Sequence, residues 1–254
     1  MDKTSELVPL FDQSTGKFFL SRPRRFGKSL TLSTLKEILQ GNRELFGPKY
    51  GPVLNIYDHS KMNWEEQKHS ILHVDFTKGI ALTEGPEAFN ETLLRTLGRI
   101  ATENEIKLVG KYVSEDVSLL VEQLAKKSPS GKVAVLVDEY DAPITNNLTE
   151  NKWEWAKANR DIIRSFFQPM KDLTPKGLNF LFVTGVSKFA KTALFSVMND
   201  TMDITIDKKY SSIVGYTWEE IEKTFKEHLQ VLANKRGESV DQVKELIHFW
   251  YNGY

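Results

Sequence analysis

The sequence predicts a three-layer α/β fold with a mainly parallel, five-stranded sheet and a helical C-terminal subdomain. Three observations predict it. Short apolar runs alternate with amphipathic helical stretches, the two strongest runs are almost continuously apolar, and the chain reads as wholly helical from about residue 215. Nearly continuous apolar runs are typical of strands buried on both faces, and parallel strands need crossover helices between them.

Five apolar runs are the predicted strands, and four helical stretches separate them. The strands are expected at residues 17–21, 70–76, 133–137, 178–184 and, most weakly, 203–207. The helices are expected at residues 29–39, 86–100, 114–127 and 149–167, where apolar side chains recur every three to four positions. This alternation predicts helices on the faces of one sheet.

The division predicted from the sequence is a core of residues 1–214 and a lid-like helical subdomain of residues 215–254. The subdomain reads as two helices split near Arg236-Gly237, and Thr217-x-x-Glu220 resembles a capping box at its start. Three aromatic residues occur within positions 250–254. Because aromatic side chains gain much from burial, they predict a truncated subdomain whose natural continuation covers them.

The composition narrows the class of protein. Of 254 residues, 40% are hydrophobic and 27% charged, and 34 basic residues balance 34 acidic ones, as in an ordinary soluble globular protein. Zero net charge argues against a wholly basic nucleic-acid binder and leaves a local basic patch open. Cysteine is absent, which excludes disulfides, zinc–cysteine sites and thiol nucleophiles. A polar start and the lack of a long apolar run predict a cytoplasmic protein without a membrane span.

The first motif is Gly27-Lys28-Ser29, between the first strand and the first helix. A phosphate loop has this position: amides at a helix N-terminus attract an anion, the Lys reaches the outer phosphates and the Ser hydroxyl ligates Mg²⁺. Arg22 stands where the usual pattern has its first Gly, which makes the loop strongly cationic. The predicted nucleotide-binding residues are Arg24, Arg25, Phe26, Gly27, Lys28, Ser29 and Leu30. The alternative is a basic surface turn.

The second motif is Asp138-Glu139, at the end of the strongest apolar run. This is a Walker B arrangement, in which Asp138 holds Mg²⁺ with Ser29 and Glu139 activates a water molecule. The alternative is a solvated acidic loop. Asp141 either caps the turn that follows or adds to the site, and the Ala142-Pro143 that comes next favours the capping role.

The third motif is Thr184-Gly185-Val186-Ser187, after the fourth predicted strand. A polar residue here occupies the sensor position of ATPases in which one strand lies between the phosphate-loop strand and the Walker B strand. Thr184 or Ser187 is therefore expected to contact the attacking water or the γ-phosphate, although Thr-Gly is also an ordinary turn. The order of the three motifs predicts a P-loop NTPase core with strand order 5-1-4-3-2.

Longer blocks around these motifs resemble the bacterial AAA-ATPase-like family. They are residues 21–30, 137–144 and 183–189, with further similar blocks at 2–4, 203–205, 215–217 and 250–254. The resemblance implies a P-loop ATPase of the AAA/STAND-like kind and makes Arg22 a shared feature of the family. It also implies that related chains continue into a PD-(D/E)XK nuclease-like domain, a possible partner of this one.

The sequence therefore predicts an Mg²⁺-dependent ATP-binding module that hydrolyses ATP and acts as a nucleotide-driven switch. Lys28, Glu139, Thr184 and Ser187 are the predicted catalytic residues, and Ser29 and Asp138 the predicted metal ligands. The competing hypothesis is a non-catalytic module whose cationic loop binds nucleic-acid phosphates or an acidic partner. The first hypothesis requires Lys28 and Asp138 to converge on one cleft, whereas the second does not.

Overall fold

A computed structural model of the chain describes residues 1–12, 16–78, 84–187, 198 and 200–251. Its five strands are β1 (Gly16–Ser21), β2 (Ser70–Asp75), β3 (Val133–Asp138), β4 (Leu178–Gly185) and β5 (Met202–Asp203). They form one sheet in the order β2-β3-β4-β1-β5, and every neighbouring pair is parallel. The predicted fold class and the predicted strand order 5-1-4-3-2 are confirmed.

The described α-helices follow the predicted pattern closely in the first two thirds of the chain. They are α1 (Lys28–Leu39), α2 (Pro86–Glu103), α3 (Val113–Lys127), the short α4 (Ala142–Thr145), α5 (Trp153–Phe167), α6 (Trp218–Thr224), α7 (Lys226–Arg236) and α8 (Val240–Tyr251). Short 3-10 helices occur at Thr4–Phe11, Arg43–Phe46, Trp64–Glu66, Glu150–Lys152, Gln168–Lys171, Thr174–Lys176 and Lys208–Tyr210. None of the described helices is long and apolar enough to cross a membrane.

Two hydrophobic clusters cover the two faces of the sheet, which gives the three layers. Successive residues of a strand point to opposite faces. Phe19 therefore packs with α2, α3 and α5 on one side, whereas Phe18 and Leu20 pack with α1 and the N-terminal 3-10 helix on the other. All six residues of β3 and seven of the eight residues of β4 are buried. This burial explains why these strands read as nearly continuous apolar runs.

The carboxyl ends of β2, β3, β4 and β1 lie side by side. Asp75 pairs with Asp138 across β2 and β3, and Ser21 pairs with Gly185 across β1 and β4. Ligands of open α/β sheets bind at this edge. The three predicted motifs therefore come to one end of the sheet.

The fifth strand differs from its prediction. The sequence favoured residues 203–207, but the ladder holds only Met202–Asp203 beside β1. The Asp203 carboxylate accepts a hydrogen bond from the amide of Thr205, and the Thr205 hydroxyl accepts one from the amide of Ser21. Side-chain bonds of this kind replace ladder bonds and end the strand.

The described chain divides into two compact units, Asp2–Val214 and a smaller one that contains Gly215–Tyr254. Within the smaller unit, Leu229, Ala233 and Val243 form a buried cluster, and Thr217 and Glu220 form the expected capping box. The prediction of only two helices here is wrong, because Phe225 is non-helical and separates α6 from α7. Its ring packs edge-on against Tyr216 and against His228.

Candidate active site

The loop between β1 and α1 has the backbone of an anion-binding turn. Arg25 at φ 69° and Gly27 at φ 90° are both in the left-handed region. Gly27 precedes the first residue of α1, and no side chain caps that helix end. Alternation of right- and left-handed residues and an uncapped helix N-terminus both direct backbone amides toward an anion.

Lys28 points into the protein from the first position of α1. It is 4% exposed, and its amine donates hydrogen bonds to the carbonyls of Arg22 (3.0 Å) and Pro23 (3.1 Å). The same amine lies 3.3 Å from the Glu139 carboxylate. Lys28 thus joins the loop to the Walker B pair.

Arg22, which replaces the usual first glycine, turns toward β5. Its guanidinium donates hydrogen bonds to the carbonyls of Ser21 and Thr205. Burial lowers the pKa of Arg22, and the Asp203 carboxylate opposes that shift. Arg22 therefore ties the start of the loop to the last strand.

The other predicted loop residues differ in where they lie. Arg24 lines the cleft described below, and Arg25 is exposed. Phe26 is half-buried, and Leu30 is 72% exposed on the first turn of α1. Of these four predicted nucleotide-binding residues, the structure brings Arg24 to the cleft.

Asp138 is the centre of a short hydrogen-bond chain. Its side chain is almost fully buried, and it accepts from the Ser29 hydroxyl at 2.5 Å on one oxygen and from the Thr184 hydroxyl at 2.5 Å on the other. Thr184 is completely buried. The structure thus brings together Ser29, Asp138 and Thr184, and it places Thr184 against the Walker B aspartate.

Glu139 has an uncommon backbone for a residue with a side chain. Its φ is 50°, in the left-handed region that costs such residues about 1–2 kcal/mol. Burial raises the pKa of Glu139, while Lys28 opposes the rise and the neighbouring carboxylates of Asp138 and Asp141 add to it. Strained backbones and raised carboxylate pKa values are both features of functional sites.

The capping role predicted for Asp141 is wrong. Its side chain makes no cap hydrogen bond to α4. Its carboxylate instead accepts from the amides of Val186 (3.2 Å) and Ser187 (2.6 Å). Burial raises the pKa of Asp141, and these two amide bonds oppose the rise.

Two backbone hydrogen bonds fix the position of Ser187. Its amide donates to Asp141, and its carbonyl accepts a hydrogen bond from the Tyr140 hydroxyl at 3.1 Å. Two further residues of the third motif block, Lys188 and Phe189, lie outside the described residues, as do Asn252–Tyr254 of the last block.

A cleft of about 410 Å³ opens at this edge of the sheet. It is lined by Arg24, Ser29, Asp75, Thr77, Lys78, Asp138, Glu139, Ala142, Thr145, Asn146 and Val186. Thr145 and Asn146 line the cleft but belong to none of the three motifs found in the sequence. They lie one helical turn beyond Asp141, and a turn that follows the Walker B pair is the signal that points to them.

The cleft offers oxygen ligands of the kind that Mg²⁺ takes. Ser29, Asp75, Asp138 and Glu139 contribute a hydroxyl and three carboxylates, and Mg²⁺ binds through one or two such groups plus phosphate and water. Within the described residues, no three histidine or acidic side chains cluster closely enough to hold a metal alone. This donor set fits a metal that arrives with a phosphate ligand.

The family of the chain follows from comparison with known proteins. The model of a family described as predicted AAA-ATPase matches residues 1–195. The chain belongs to this predicted AAA-ATPase family. The match includes Lys28, Asp138 and Thr184, and it supports the ATP-binding and ATPase class that the motifs predict.

One curated relative aligns along the whole chain. It is a protein of Azotobacter chroococcum mcd 1 described as "Uncharacterized protein in vnfD 5'region", 34% identical over 257 residues. The alignment covers 100% of this chain and 44% of that relative, so the chain spans less than half of the relative's length. No solved structure matches the chain.

Proposed function

We propose that the chain is an Mg²⁺-dependent ATP-binding module that hydrolyses ATP. One observation carries the proposal. The Lys28 amine contacts Glu139, while the next residue, Ser29, donates to Asp138, at the carboxyl end of the parallel sheet. A non-catalytic cationic loop does not require this convergence with two adjacent carboxylates.

Phosphate binding is proposed at the amides of residues 24–29 and at Lys28. In this structure two loop carbonyls and Glu139 hold the Lys28 amine. A triphosphate oxygen is a stronger acceptor than a carbonyl, and charge-assisted bonds are about twice as strong as neutral ones. Nucleotide is therefore expected to take over the Lys28 amine and release Glu139.

The magnesium position is proposed between Ser29 and Asp138. Bound Mg²⁺ neutralises charge on the β- and γ-phosphates. The Ser29 hydroxyl, which donates to Asp138 in this structure, would turn a lone pair toward the metal while Asp138 holds the metal's shell. Thr184 fixes the orientation of Asp138 from the other side.

Glu139 is the proposed base. A water molecule attacks the γ-phosphorus, the bond from that phosphorus to the β,γ-bridging oxygen breaks, ADP leaves, and the Glu139 carboxylate accepts the water's proton. Its raised pKa suits a proton acceptor better than that of an ordinary glutamate. Arg24, at the cleft, would offset the charge that develops on the leaving phosphates.

The contacts that nucleotide displaces also support a switch. Mg·ATP would compete for both the Lys28–Glu139 and the Ser29–Asp138 contact, because its phosphates attract the lysine and its metal attracts the serine hydroxyl. Two arrangements of the same side chains, biased by the γ-phosphate, are the basis of nucleotide switches. We propose that this module uses them in the same way.

The test is turnover by Glu139→Gln. Glutamine keeps the shape but loses the basic carboxylate, so we expect kcat to fall at least a hundredfold while Mg·ATP still binds. The matched control is Glu105→Gln, because Glu105 also has a left-handed backbone, at φ 54°, and lies outside the cleft. Steady-state phosphate release and calorimetric binding are measured on both variants.

Undiminished turnover in Glu139→Gln would remove Glu139 from the mechanism. The competing nucleic-acid hypothesis has one observation in its favour, the exposure of Arg24 and Arg25. It predicts DNA binding with a steep salt dependence and without any effect of ATP. That result, together with no ATP binding by the folded chain, would replace the proposed function.

A further inference from the structure

Asp141 is a buried carboxylate beside the cleft, and it binds a segment far away in the sequence. It is 1% exposed. Both of its oxygens lie 3.2 Å from the amide nitrogen of Val186, and one lies 2.6 Å from that of Ser187. These bonds connect the residues that follow β3 with the residues that follow β4.

We call residues 184–187 the β4 exit. Ser21, the last residue of β1, and Arg22, at the start of the loop, also bond to the β4 exit. The Ser21 hydroxyl donates to the carbonyl of Val186 at 3.1 Å, and the Arg22 amide donates to the carbonyl of Gly185 at 3.1 Å. The β4 exit is therefore bonded both to Asp141 and to the residues that lead into the loop.

Tyr140 and Gly185 show how closely the two segments approach. A Cβ atom on Gly185 would lie 2.5 Å from the Tyr140 ring and 2.7 Å from an Asp141 oxygen. The Tyr140 hydroxyl donates to the carbonyl of Ser187, and the Tyr140 amide donates to that of Thr184. Because even a single added carbon at Gly185 would overlap Tyr140 and Asp141, the β4 exit has little room to move while Asp141 keeps its bonds.

The β4 exit reaches the cleft at two points. The Thr184 hydroxyl donates to one oxygen of Asp138 at 2.5 Å, and Val186 lines the cleft that Glu139 also lines. A shift of the β4 exit would therefore move the Asp138 carboxylate and the wall against which an attacking water lies.

We propose that Asp141 is a positioning residue for turnover, which fixes the β4 exit against the phosphate loop and, through Thr184, fixes Asp138. The inference rests on the proposed ATPase function. Asp141 does not line the cleft. Its loss is therefore expected to slow the chemical step and to leave nucleotide affinity nearly unchanged, because the loop amides and Lys28 remain in place.

The test is Asp141→Asn, which is isosteric. Both terminal atoms of residue 141 lie 3.2 Å from the Val186 amide nitrogen, so whichever way an asparagine is turned, its NH₂ group meets that amide as a second donor. We expect kcat to fall about tenfold or more, as for other residues that orient a catalytic group, and KM and the Kd for Mg·ATP to change less than threefold. Hydrogen exchange should accelerate at the amides of Val186 and Ser187.

Asp116→Asn is the matched control. Asp116 is also 1% exposed, and its carboxylate also accepts from two backbone amides, those of Val109 and Gly110. It lies in α3, outside the cleft. Asp116→Asn should leave kcat unchanged, so equal losses of kcat in the two variants would overturn the inference.

Tyr140→Phe keeps the test decisive if Asp141→Asn does not fold. It removes only the hydroxyl bond to Ser187 and should lower kcat in the same direction by a smaller factor. Wild-type kcat in either folded variant overturns the inference and leaves the ATPase proposal standing. If the wild-type chain binds no Mg·ATP, the proposed function fails instead, and unchanged exchange at the amides of Val186 and Ser187 in Asp141→Asn then overturns the positioning role.

Discussion

Lys28 and Glu139 form the ionic contact that the proposed nucleotide binding would rearrange. Both side chains are largely removed from water, and their charged atoms lie 3.3 Å apart. Removing one partner of a buried ion pair lowers stability strongly, because the remaining charge is left without an opposite charge. In the proposed mechanism, a phosphate next to Lys28 would compensate the lysine charge and free Glu139 to act as the base.

The pH dependence of turnover should reveal the raised pKa of Glu139. A general base works deprotonated, so activity is lost as the pH falls through its pKa, and a raised pKa moves that loss to higher pH. The acid limb of kcat/KM reports the free protein. We expect it above about pH 4.3, the ordinary value for glutamate, because burial outweighs the effect of Lys28.

Phosphate release measured from pH 4 to pH 8 checks this expectation, with circular dichroism to verify that the chain stays folded. Glu105→Gln should give the same profile as the wild type. An acid limb at or below the ordinary glutamate pKa would show that another group limits turnover.

At the residue scale, the sequence predicts what is local. The phosphate-loop and Walker B motifs are short and lie next to predicted strand ends. The positions of Lys28, Ser29, Asp138 and Glu139 at one edge of the sheet could therefore be predicted. The bonds of Asp141 could not, because its partners lie 45 and 46 positions away. The following Ala-Pro favoured a local cap, and the tertiary contact prevailed.

At the element scale, strand burial decided which predictions succeeded. β3 and β4 are continuous apolar runs and were predicted within one or two residues. The predicted β5 is too long at its C-terminal end. The hydrogen bonds of the Asp203 and Thr205 side chains end the strand, and the spacing of apolar residues in the sequence does not show such bonds. The break at Phe225 was missed for a similar reason, since it depends on the packing of one ring.

A substitution at Gly185 measures how tightly the end of β4 packs against Tyr140 and Asp141. Gly185→Ala places a methyl group within 2.7 Å of Tyr140 and Asp141, and such overpacking costs about 1–3 kcal/mol of unfolding free energy. Gly98→Ala is the control, because a Cβ there meets nothing within 4 Å and Gly98 lies inside α2. We expect the control to stabilise the protein by about 0.5–1 kcal/mol.

Urea unfolding midpoints of the two variants measure these changes. Equal stability of Gly185→Ala and the wild type would mean that the β4 exit has room to shift. That result would also count against the positioning role proposed for Asp141.

At the scale of the whole molecule, the proposed chemistry belongs to the unit Asp2–Val214. Every residue that lines the cleft lies within it, as do both partners of each contact made by Lys28 and Asp138. The strand order was predictable because three motifs of different chemistry mark three strands. We propose that residues 215–254 form a separate helical subdomain, in keeping with their own buried cluster.

The central claim is that the cleft lined by Ser29, Asp138 and Glu139 binds Mg·ATP and that Lys28, which contacts Glu139, holds the phosphates. Calorimetric titration of Mg·ATP into the full chain and into Lys28→Met tests it most directly, because methionine keeps the length of the side chain and removes its charge. Lys17→Met is the matched control. Lys17 is also buried and hydrogen-bonded, to the Met170 carbonyl and to Asp200, at the opposite end of β1.

We expect the wild type and Lys17→Met to bind with similar Kd and Lys28→Met to bind about a hundredfold more weakly or not at all, since it loses charge-assisted bonds to the phosphates. Wild-type affinity in a folded Lys28→Met, or equal weakening in both variants, would contradict the account.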